Sequence, residues 1–221
     1  METSRFRDRA QAGRTLARML STYANRPGVL VLALPRGGVP VGYEVARALA
    51  APLDVFLVRK LGLPGHEELA MGAIATGGVR VLNDEVLAHV NVPSAVIEAV
   101  AAREAAELER RERVYRGDRP PPNVRGRTVI LVDDGLATGA TMRAAVEALR
   151  QQAPARIVMA VPVAAPSVCE EFQHAVDQAV CAMTPEPFFA VGLWYEDFSP
   201  TSDDEVRDLL ARAATPTAGA A

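Results

Sequence analysis

The sequence predicts an α/β fold, with a doubly wound, mostly parallel sheet covered by helices on both faces. Three observations support this prediction. Short apolar runs such as Val29–Leu34 alternate along the chain with amphipathic segments of helical period. The chain has 221 residues, which suits one substantial domain. No run stays apolar for the length that a bilayer span requires.

The first elements set the direction of the sheet. Arg7–Tyr23 is amphipathic and predicts a helix, and Val29–Leu34 predicts a buried strand. A second helix is expected at Val39–Ala50, and Leu53–Arg59 predicts the next strand. This strand–helix–strand order implies parallel neighbours that are joined by a right-handed crossover.

The middle of the chain is more polar. Leu61–Met71 contains a Pro-Gly step and mixed polarity, so we predict a mobile surface loop. The following segment alternates around Gly77 and Gly78, which predicts a hairpin with a two-residue turn. Ser94–Arg116 predicts a long helix, and its Glu–Arg pairs at i,i+4 spacing indicate a solvated face.

The second half continues the alternation of strands and helices. Strands are expected at Thr128–Val132, Ala155–Val163 and Asp177–Met183. Helices are expected with a core face at Met142, Ala145, Val146 and Leu149, at Ser167–His174, and at residues 202–213. Ser202 is the expected N-cap of the last helix, with Glu205 at the capping-box position. Residues 1–213 therefore form the predicted domain, and residues 214–221 are expected to be a disordered tail.

Composition narrows the classes of function. The net charge of −3 gives no global attraction to nucleic acid or to anionic lipid. The two cysteines, Cys169 and Cys181, lack metal-ligand spacing and are expected to be buried thiols in a reducing cytosol. The charged N-terminus has no apolar segment behind it, so a cytoplasmic location is expected. Lys60 is the one lysine in the chain, which makes it a candidate functional residue because ammonium and guanidinium groups are not interchangeable.

The segment Val129–Met142, VILVDDGLATGATM, carries the clearest chemistry. Asp133 and Asp134 follow a buried strand, at the sheet edge where open α/β folds bind ligands. The small residues behind them lead into a helix N-terminus, whose free N–H groups suit a phosphate. Two carboxylates that can accept hydrogen bonds from hydroxyl groups, placed next to a phosphate site, match a sugar phosphate.

Three other sites with an acidic strand end do not fit the chain. A P-loop nucleotide site requires GxxxxGK[ST], and Lys60 is not preceded by such a loop. A phospho-receiver requires a lysine on a late strand, and no lysine follows residue 60. A dinucleotide fold requires GxGxxG after its first strand, and PRGGVPVG does not supply it.

The segment VILVDDGLATGATM resembles the phosphoribosyl pyrophosphate (PRPP) motif of type I phosphoribosyltransferases. The resemblance implies that Asp133 and Asp134 are catalytic and hold the ribose 2′ and 3′ hydroxyls. It assigns the 5′-phosphate to Ala137, Thr138, Gly139, Ala140 and Thr141. The segment departs from the motif at Gly135, where relatives usually carry an aliphatic residue.

Two further segments resemble pyrophosphate-binding parts of this family. LPRGGVPVGYEVARAL is similar to the pyrophosphate loop of bacterial xanthine-guanine enzymes, which assigns Arg36, Gly37 and Gly38 to pyrophosphate. The family often has a cis peptide here, which would join Pro35 to Arg36. LVRK is similar to the end of the second strand in adenine enzymes, which adds Arg59 and Lys60.

The same resemblance places the family's flexible catalytic lid at residues 61–71. Its titratable groups are His66, Glu67 and Glu68, and the two glutamates are candidate general acid/base residues. Hypoxanthine-guanine enzymes carry an aspartate at the position of Ala137, and adenine enzymes carry alanine as here. The group that manages the proton of the base is therefore expected in the lid or in the substrate.

The predicted acceptor-binding hood covers residues 185–198. FFAVGLWYEDF is similar to the purine-binding segment of hypoxanthine-guanine enzymes, with Phe189 stacking on the base and Glu196 facing its edge. A core strand with a polar rim is the alternative interpretation. The lysine that reads the purine 6-oxo group in those enzymes has no counterpart here, so purine specificity is not implied.

As a whole, residues 5–212 resemble bacterial phosphoribosyltransferase-like proteins whose acceptor is not established. The implied function is a glycosyltransferase of nucleotide metabolism that moves ribose 5-phosphate from PRPP to a nucleobase-like acceptor. Mg²⁺ is the implied cofactor, bound mainly through PRPP and pyrophosphate oxygens without protein metal ligands. The alternatives are a non-catalytic PRPP sensor and an enzyme that isomerises or hydrolyses a ribose phosphate. Partners are PRPP and a small-molecule acceptor, not membrane or nucleic acid, and a homodimer is compatible with the sequence.

Overall fold

The computed structural model describes residues 5–90 and 92–214, apart from the side chains at positions 67, 68, 84 and 85. Five parallel strands form the main sheet in the order β2-β1-β6-β7-β8. Their bounds are β1 Val29–Ala33, β2 Leu53–Val55, β6 Thr128–Val132, β7 Arg156–Val163 and β8 Gln178–Met183. A second, antiparallel sheet contains β3 Val58–Leu63, β4 His66–Ala75 and β5 Val79–Leu82. The predicted α/β class is confirmed.

The helices follow the predicted alternation. Their bounds are α1 Arg9–Met19, α2 Gly38–Leu49, α3 Asp84–His89, α4 Ser94–Arg116, α5 Ala140–Gln151, α6 Pro166–Ala175 and α7 Asp203–Ala214. The cap predicted for α7 is present, because the Ser202 hydroxyl accepts from the N–H of Glu205 at 3.1 Å. No described helix combines the length and apolar character needed to cross a membrane. Residues 215–221 of the predicted tail lie outside the described residues.

Alternate residues of each central strand support opposite layers of the core. Val29 and Val31 pack with residues of α1, α2, α4 and α7, whereas Leu30 and Leu32 pack with residues of α5 and α6. Successive side chains of a strand point to opposite faces of a sheet, so an unbroken apolar run serves both layers. The sheet is therefore covered on both sides, as a doubly wound fold requires.

The predicted strand Leu53–Arg59 is wrong as a single element. Its first part is β2 in the main sheet, and its last part belongs to β3 in the second sheet. Phe56 and Leu57 are both buried at the junction, where strict alternation is lost. Thr76 fixes this turn of the chain, because its hydroxyl accepts from the N–H of Leu57 at 2.9 Å.

The predicted surface loop Leu61–Met71 is also wrong in its local structure. The Pro-Gly step is the turn of a hairpin between β3 and β4, and Gly65 has a positive φ of 81°. Leu61 and Met71 are fully buried, so the segment is held by the core rather than solvated throughout. The register shifts between Leu61 and Leu63, which masks the period-2 pattern that would have revealed the strands.

The hairpin predicted at Gly77 and Gly78 is confirmed, with a three-residue turn in place of two. Ala75 pairs with Val79 across the turn, and both glycines have positive φ. The resulting three-stranded sheet projects from the carboxyl end of β2. It brings β3 against α4 and α5, on the same side of the molecule as the acidic strand end.

The prediction of two free cysteine thiols is wrong. Cys169 of α6 and Cys181 of β8 form a disulfide, with their Cα atoms 6.5 Å apart. Helix α6 and strand β8 pack directly on each other, which brings the two side chains together. A separation of 12 residues in the sequence gives no signal of this contact.

Helix α4 is fastened to the main sheet by a buried arginine at its C-terminus. The side chain of Arg116 is 1% exposed and donates to Asp54 Oδ1 at 2.8 Å and to Glu112 Oε1 at 2.9 Å. It also donates to the carbonyl oxygen of Val55 at the end of β2. Removing one member of such a buried pair leaves an uncompensated charge.

We expect Arg116→Met to lower the free energy of unfolding by about 3–5 kcal/mol, because it leaves Asp54 without its buried cation. Urea denaturation followed by circular dichroism measures this. The matched control is Arg113→Met on the same helix, since Arg113 is 77% exposed and 3.9 Å from Glu109. Equal stability of the two variants would contradict the anchoring role of Arg116.

Candidate functional site

The register of the main sheet brings two candidate loops together. Strands β1 and β6 are parallel neighbours, with Ala33 opposite Val132. The pairing continues past the strand ends, where the N–H of Leu34 donates to the Val132 carbonyl at 2.9 Å. The loop at residues 35–38 therefore lies directly beside Asp133 and Asp134, at the carboxyl edge of the sheet.

This close approach requires the two glycines of the loop. A Cβ on Gly37 would lie 2.0 Å from Oδ2 of Asp134, and one on Gly38 would lie 2.8 Å from the Val132 carbonyl oxygen. Any side chain at either position would therefore displace the acidic strand end. The peptide bond between Pro35 and Arg36 is cis, as the resemblance implied.

Arg9 of α1 binds one of the two acids. Its Nε donates to Oδ2 of Asp134 at 2.8 Å, and both side chains are largely buried. The guanidinium stacks over the ring of Phe198 at 4.0 Å from the centroid and donates to the carbonyl oxygen of Ser199 at 2.8 Å. Sequence analysis missed Arg9, because 125 residues separate it from its partner and no motif joins them.

The two acids differ in their surroundings. The N–H of Asp134 donates to Oδ1 of Asp133 at 2.9 Å, and no basic side chain of the described residues pairs with Asp133. Burial, and then the neighbouring charge of Asp134, raises the pKa of Asp133 well above its ordinary value. Burial also raises the pKa of Asp134, while the hydrogen bond and charge of Arg9 oppose that rise. Among the described contacts, Oδ2 of Asp133 and Oδ1 of Asp134 remain as acceptors for a ligand.

Tyr195 holds the acidic strand end from the other side. Its hydroxyl donates to the backbone carbonyl of Asp134 at 2.6 Å, and its side chain is buried. Burial and the nearby carboxylates raise its pKa, so this phenol stays protonated as a donor. The hydrogen bond therefore ties the 190s segment to the candidate ribose site.

The predicted phosphate loop leads into α5 as expected. Gly139 has a positive φ of 70°, and a Cβ there would lie 2.9 Å from the ring of Phe172. Arg143 supports the loop by donating to the carbonyl oxygen of Thr138 and to the Glu171 carboxylate, each at 2.6 Å. Within the described part of the chain, the N–H groups of Thr138 and Gly139 have no acceptor. Free N–H groups at the start of a helix suit an anion.

The unusual Gly135 of the motif has a steric cause. A Cβ at this position would lie 2.5 Å from a methyl of Val191 and 3.0 Å from a methyl of Val163. Val191 belongs to the predicted hood, so the hood side chain occupies the volume that an aliphatic residue at 135 would fill. The departure from the family pattern thus accompanies a hood that packs directly on the strand end.

The predicted pyrophosphate residues do not all converge. Arg36 is half exposed, with Nη1 3.8 Å from Asp203 Oδ1. Arg59 and Lys60 are consecutive in β3 and therefore face opposite sides of the strand. Arg59 donates to Glu104 of α4 at 2.7 Å, whereas Lys60 lines a cavity of about 870 Å³ beside Ala140. Their predicted contact with pyrophosphate stays a prediction.

The acceptor-side predictions fall on an irregular segment. Residues 185–198 contain no strand, so the alternative of a core strand is wrong; a short 3₁₀ turn spans Val191–Trp194. Phe189 is 78% exposed, and Glu196 is exposed with its N–H bonded to the Phe6 carbonyl at 2.8 Å. The side chains of Glu67 and Glu68, the predicted lid acids, lie outside the described residues.

Comparison with known proteins identifies related chains. A family model described as "Phosphoribosyl transferase domain" matches residues 63–180. A protein of Mycobacterium tuberculosis named "Putative phosphoribosyl transferase Rv0571c" is 47% identical over 208 residues, which cover 94% of this chain. The chain spans about half the length of the curated Mycobacterium relatives that it matches, 47% in each case.

Two further relatives match in structure or in sequence. The crystal structure of TT1426 from Thermus thermophilus superimposes with a TM-score of 0.85 at 44% identity and covers 96% of this chain and 100% of that one. "Bifunctional protein PyrR" of Roseiflexus is 36% identical over 124 residues, which cover 55% of this chain and 62% of that protein. The similarity therefore includes both sheets and the acidic strand end.

We expect Arg9→Met to raise the pKa of Asp134 further, because the variant removes the one basic side chain bound to that carboxylate in the described structure. Titration of the aspartate carboxyl signals by carbon-13 NMR measures this. Arg18→Met is the matched control, since Arg18 lies on an exposed face of the same helix. An unchanged Asp134 pKa in Arg9→Met would contradict the assignment.

We expect Asp133→Asn to stabilise the ligand-free protein near neutral pH. The raised pKa of Asp133 means that its ionisation costs folding energy, and this cost grows as the pH rises from the unfolded-state pKa through the folded-state pKa. At pH below both values the carboxyl is neutral in both states, and the difference should vanish. Chemical denaturation across this pH range, with Asp118→Asn as the exposed control, measures it. A variant less stable than the wild type at neutral pH would contradict this account.

Proposed function

Since the chain belongs to the phosphoribosyl transferase domain family, we propose that it transfers ribose 5-phosphate from PRPP to a nitrogenous base. One observation carries this proposal: Asp133 and Asp134 lie beside both the PRGG loop and the free N–H groups at the start of α5. A ribose that carries a 5′-phosphate and a 1′-pyrophosphate has complementary groups at all three places. Because the Mycobacterium relatives are about twice as long, the proposal concerns the activity of this domain.

The two carboxylates would orient the sugar. Oδ2 of Asp133 and Oδ1 of Asp134 are the acceptors left by the internal contacts, and each can accept one ribose hydroxyl. The N–H groups of Thr138 and Gly139 would bind the 5′-phosphate. Three fixed contacts on one rigid sheet edge would hold C1′ in a single orientation toward the acceptor.

The bond changes proposed for the reaction are simple. A nitrogen of the acceptor bonds to C1′ as the bond from C1′ to the pyrophosphate oxygen breaks, and pyrophosphate leaves with that electron pair. Mg²⁺, when bound, would neutralise charge on pyrophosphate and polarise the bond that breaks. The described residues contain no group of three or more His, Cys, Asp or Glu side chains placed to hold a metal. In this proposal the ion would be bound mainly through PRPP oxygens.

The proton of the acceptor needs a route that avoids the phosphate loop. Ala137 is exposed in the loop, but its methyl side chain cannot accept a proton. We assign this role to Glu67 or Glu68 in β4 or to the acceptor itself. The second sheet would also shield the reacting carbon from water, which could otherwise intercept an oxocarbenium-like transition state.

A second candidate is a PRPP-binding protein without turnover, because the groups at Asp133, Asp134 and the start of α5 account for binding of PRPP and not for transfer to an acceptor. A version of this candidate that binds nucleic acid would need a basic surface along α4. Arg116 of this helix is buried, and Glu107 pairs with both Arg110 and Arg111.

We expect the wild-type protein to bind PRPP with Mg²⁺ at micromolar-range affinity in calorimetry. Asp133→Asn should weaken binding by about tenfold to a hundredfold, because a charged hydrogen-bond acceptor contributes about 1.5–3 kcal/mol. This variant is informative because its fold is expected to be stabilised, so lost binding would not reflect unfolding. Asp118→Asn is the exposed matched control and should bind as the wild type does.

Turnover separates the two candidates. Pyrophosphate release from PRPP, measured across a panel of purines, pyrimidines and small amines, should identify at least one acceptor if the domain is a transferase. PRPP binding without pyrophosphate release for the whole panel would support the non-catalytic candidate. Failure of the wild type to bind PRPP would remove both.

A further inference from the structure

Helix α4 presents one of its arginines to the body of the protein. Leu108, Arg111 and Tyr115 are spaced by three and four residues, so they share one face of the helix. Leu108 and Tyr115 are buried, which fixes the direction of that face. The sequence predicted that the charges of this helix form a solvated face, and Arg111 is indeed about half exposed on the edge of that face.

Arg111 lies where two pockets meet at the PRGG loop. A cleft of about 210 Å³ is lined by Pro35, Arg36, Arg110, Arg111, Tyr115 and Asp203. A pocket of about 40 Å³ shares Pro35 and Arg111 and continues to Arg59 and Thr141. Arg36 of the PRGG loop, Arg59 of β3 and Arg111 of α4 thus line two pockets that share Pro35 and Arg111, and one of these pockets also reaches Thr141.

Arg110 and Arg111 of α4 are both paired with Glu107, a partner that an anionic ligand could replace. Glu107 accepts from Nε of Arg110 at 2.7 Å and from Nε of Arg111 at 2.9 Å. These two hydrogen bonds, Arg110 first, lower the pKa of Glu107 to about 2, so it is ionised at neutral pH. Ion pairs this exposed contribute little to stability, so an incoming anion can replace them at small cost.

The acid on the far side of the cleft is already engaged. Asp203 accepts from the Tyr115 hydroxyl at 2.7 Å and lies 3.8 Å from Nη1 of Arg36. It therefore positions Arg36 instead of leaving a free negative charge in the cleft. The remaining donors are planar guanidinium groups, which bind phosphate oxygens in pairs.

We propose that α4 supplies Arg110 and Arg111 to a diphosphate-binding subsite opposite the PRGG loop. Its ligand is the pyrophosphate group of PRPP before transfer and free pyrophosphate afterwards, so this inference rests on the proposed function. Arg111 is the principal contact, because it lines both pockets and shares one of them with Thr141 and Arg59. Arg110 acts at the outer end, beside Arg36.

Calorimetric titration with inorganic pyrophosphate and Mg²⁺ tests the subsite without requiring turnover. Arg111→Gln should weaken binding by about tenfold or more, since charge-assisted hydrogen bonds contribute about 1.5–3 kcal/mol. Arg111→Lys should retain part of the affinity, because it keeps the charge and loses the two-pronged geometry. Arg113→Gln is the matched control from the same helix and should bind as the wild type does. Thermal denaturation should show equal stability for all three variants, because Arg111 is half exposed.

The outcomes distinguish this inference from the proposed function. If the wild type binds PRPP and Arg111→Gln binds pyrophosphate as tightly as Arg113→Gln, the subsite is overturned and the proposed function stands. If the wild type fails to bind PRPP but binds pyrophosphate in an Arg111-dependent manner, the subsite stands and the proposed function fails. If the wild type binds neither compound, both are overturned.

Discussion

The main constraint on the structure is the free-energy cost of placing two adjacent carboxylates at the end of a buried strand. Burial disfavours the ionised form of both Asp133 and Asp134, and each raises the difficulty of ionising the other. The neighbouring groups compensate the two carboxylates unequally. Asp134 has a guanidinium from α1, whereas Asp133 has one backbone N–H. Asp133 therefore has no cationic partner among the described contacts, and hydroxyl donors of the proposed ligand would compensate its charge.

The same constraint joins distant parts of the chain. Arg9 connects the N-terminal helix to the acid and to the ring of Phe198, and Tyr195 connects the hood to the backbone of Asp134. Two extra contacts join the first residues to the hood, where the N–H groups of Glu196 and Asp197 donate to carbonyls of residues 6 and 7. The hood, on the acceptor side of the proposed site, is thus in direct contact with the groups on the donor side. A displacement of either would be felt by the other, because both share Asp134.

The sequence succeeded where a local pattern and a local structure coincide. The strand before Asp133, the small-residue turn after it and the cap at Ser202 all follow from short-range rules, and the structure has them. Sequence-based prediction failed where a short local pattern indicated one structure and contacts with distant residues imposed another. Leu61–Met71 looked like a loop because of its Pro-Gly step, yet two buried side chains hold it as a hairpin. Arg116 of α4 was expected on the solvated face and is buried, because i,i+4 pairing says nothing about which face meets the core.

The sequence by itself determined the fold class, the acidic strand end and the small-residue turn that leads into α5, because each depends on residues within about one turn or one strand of one another. Tertiary structure alone decided which groups complete the site. Only folding brings Arg9 to Asp134 across 125 positions, brings Arg59 to Glu104 of α4, and joins Cys169 to Cys181. These contacts follow from strand order and helix packing, and neither quantity is written in any short segment of the chain.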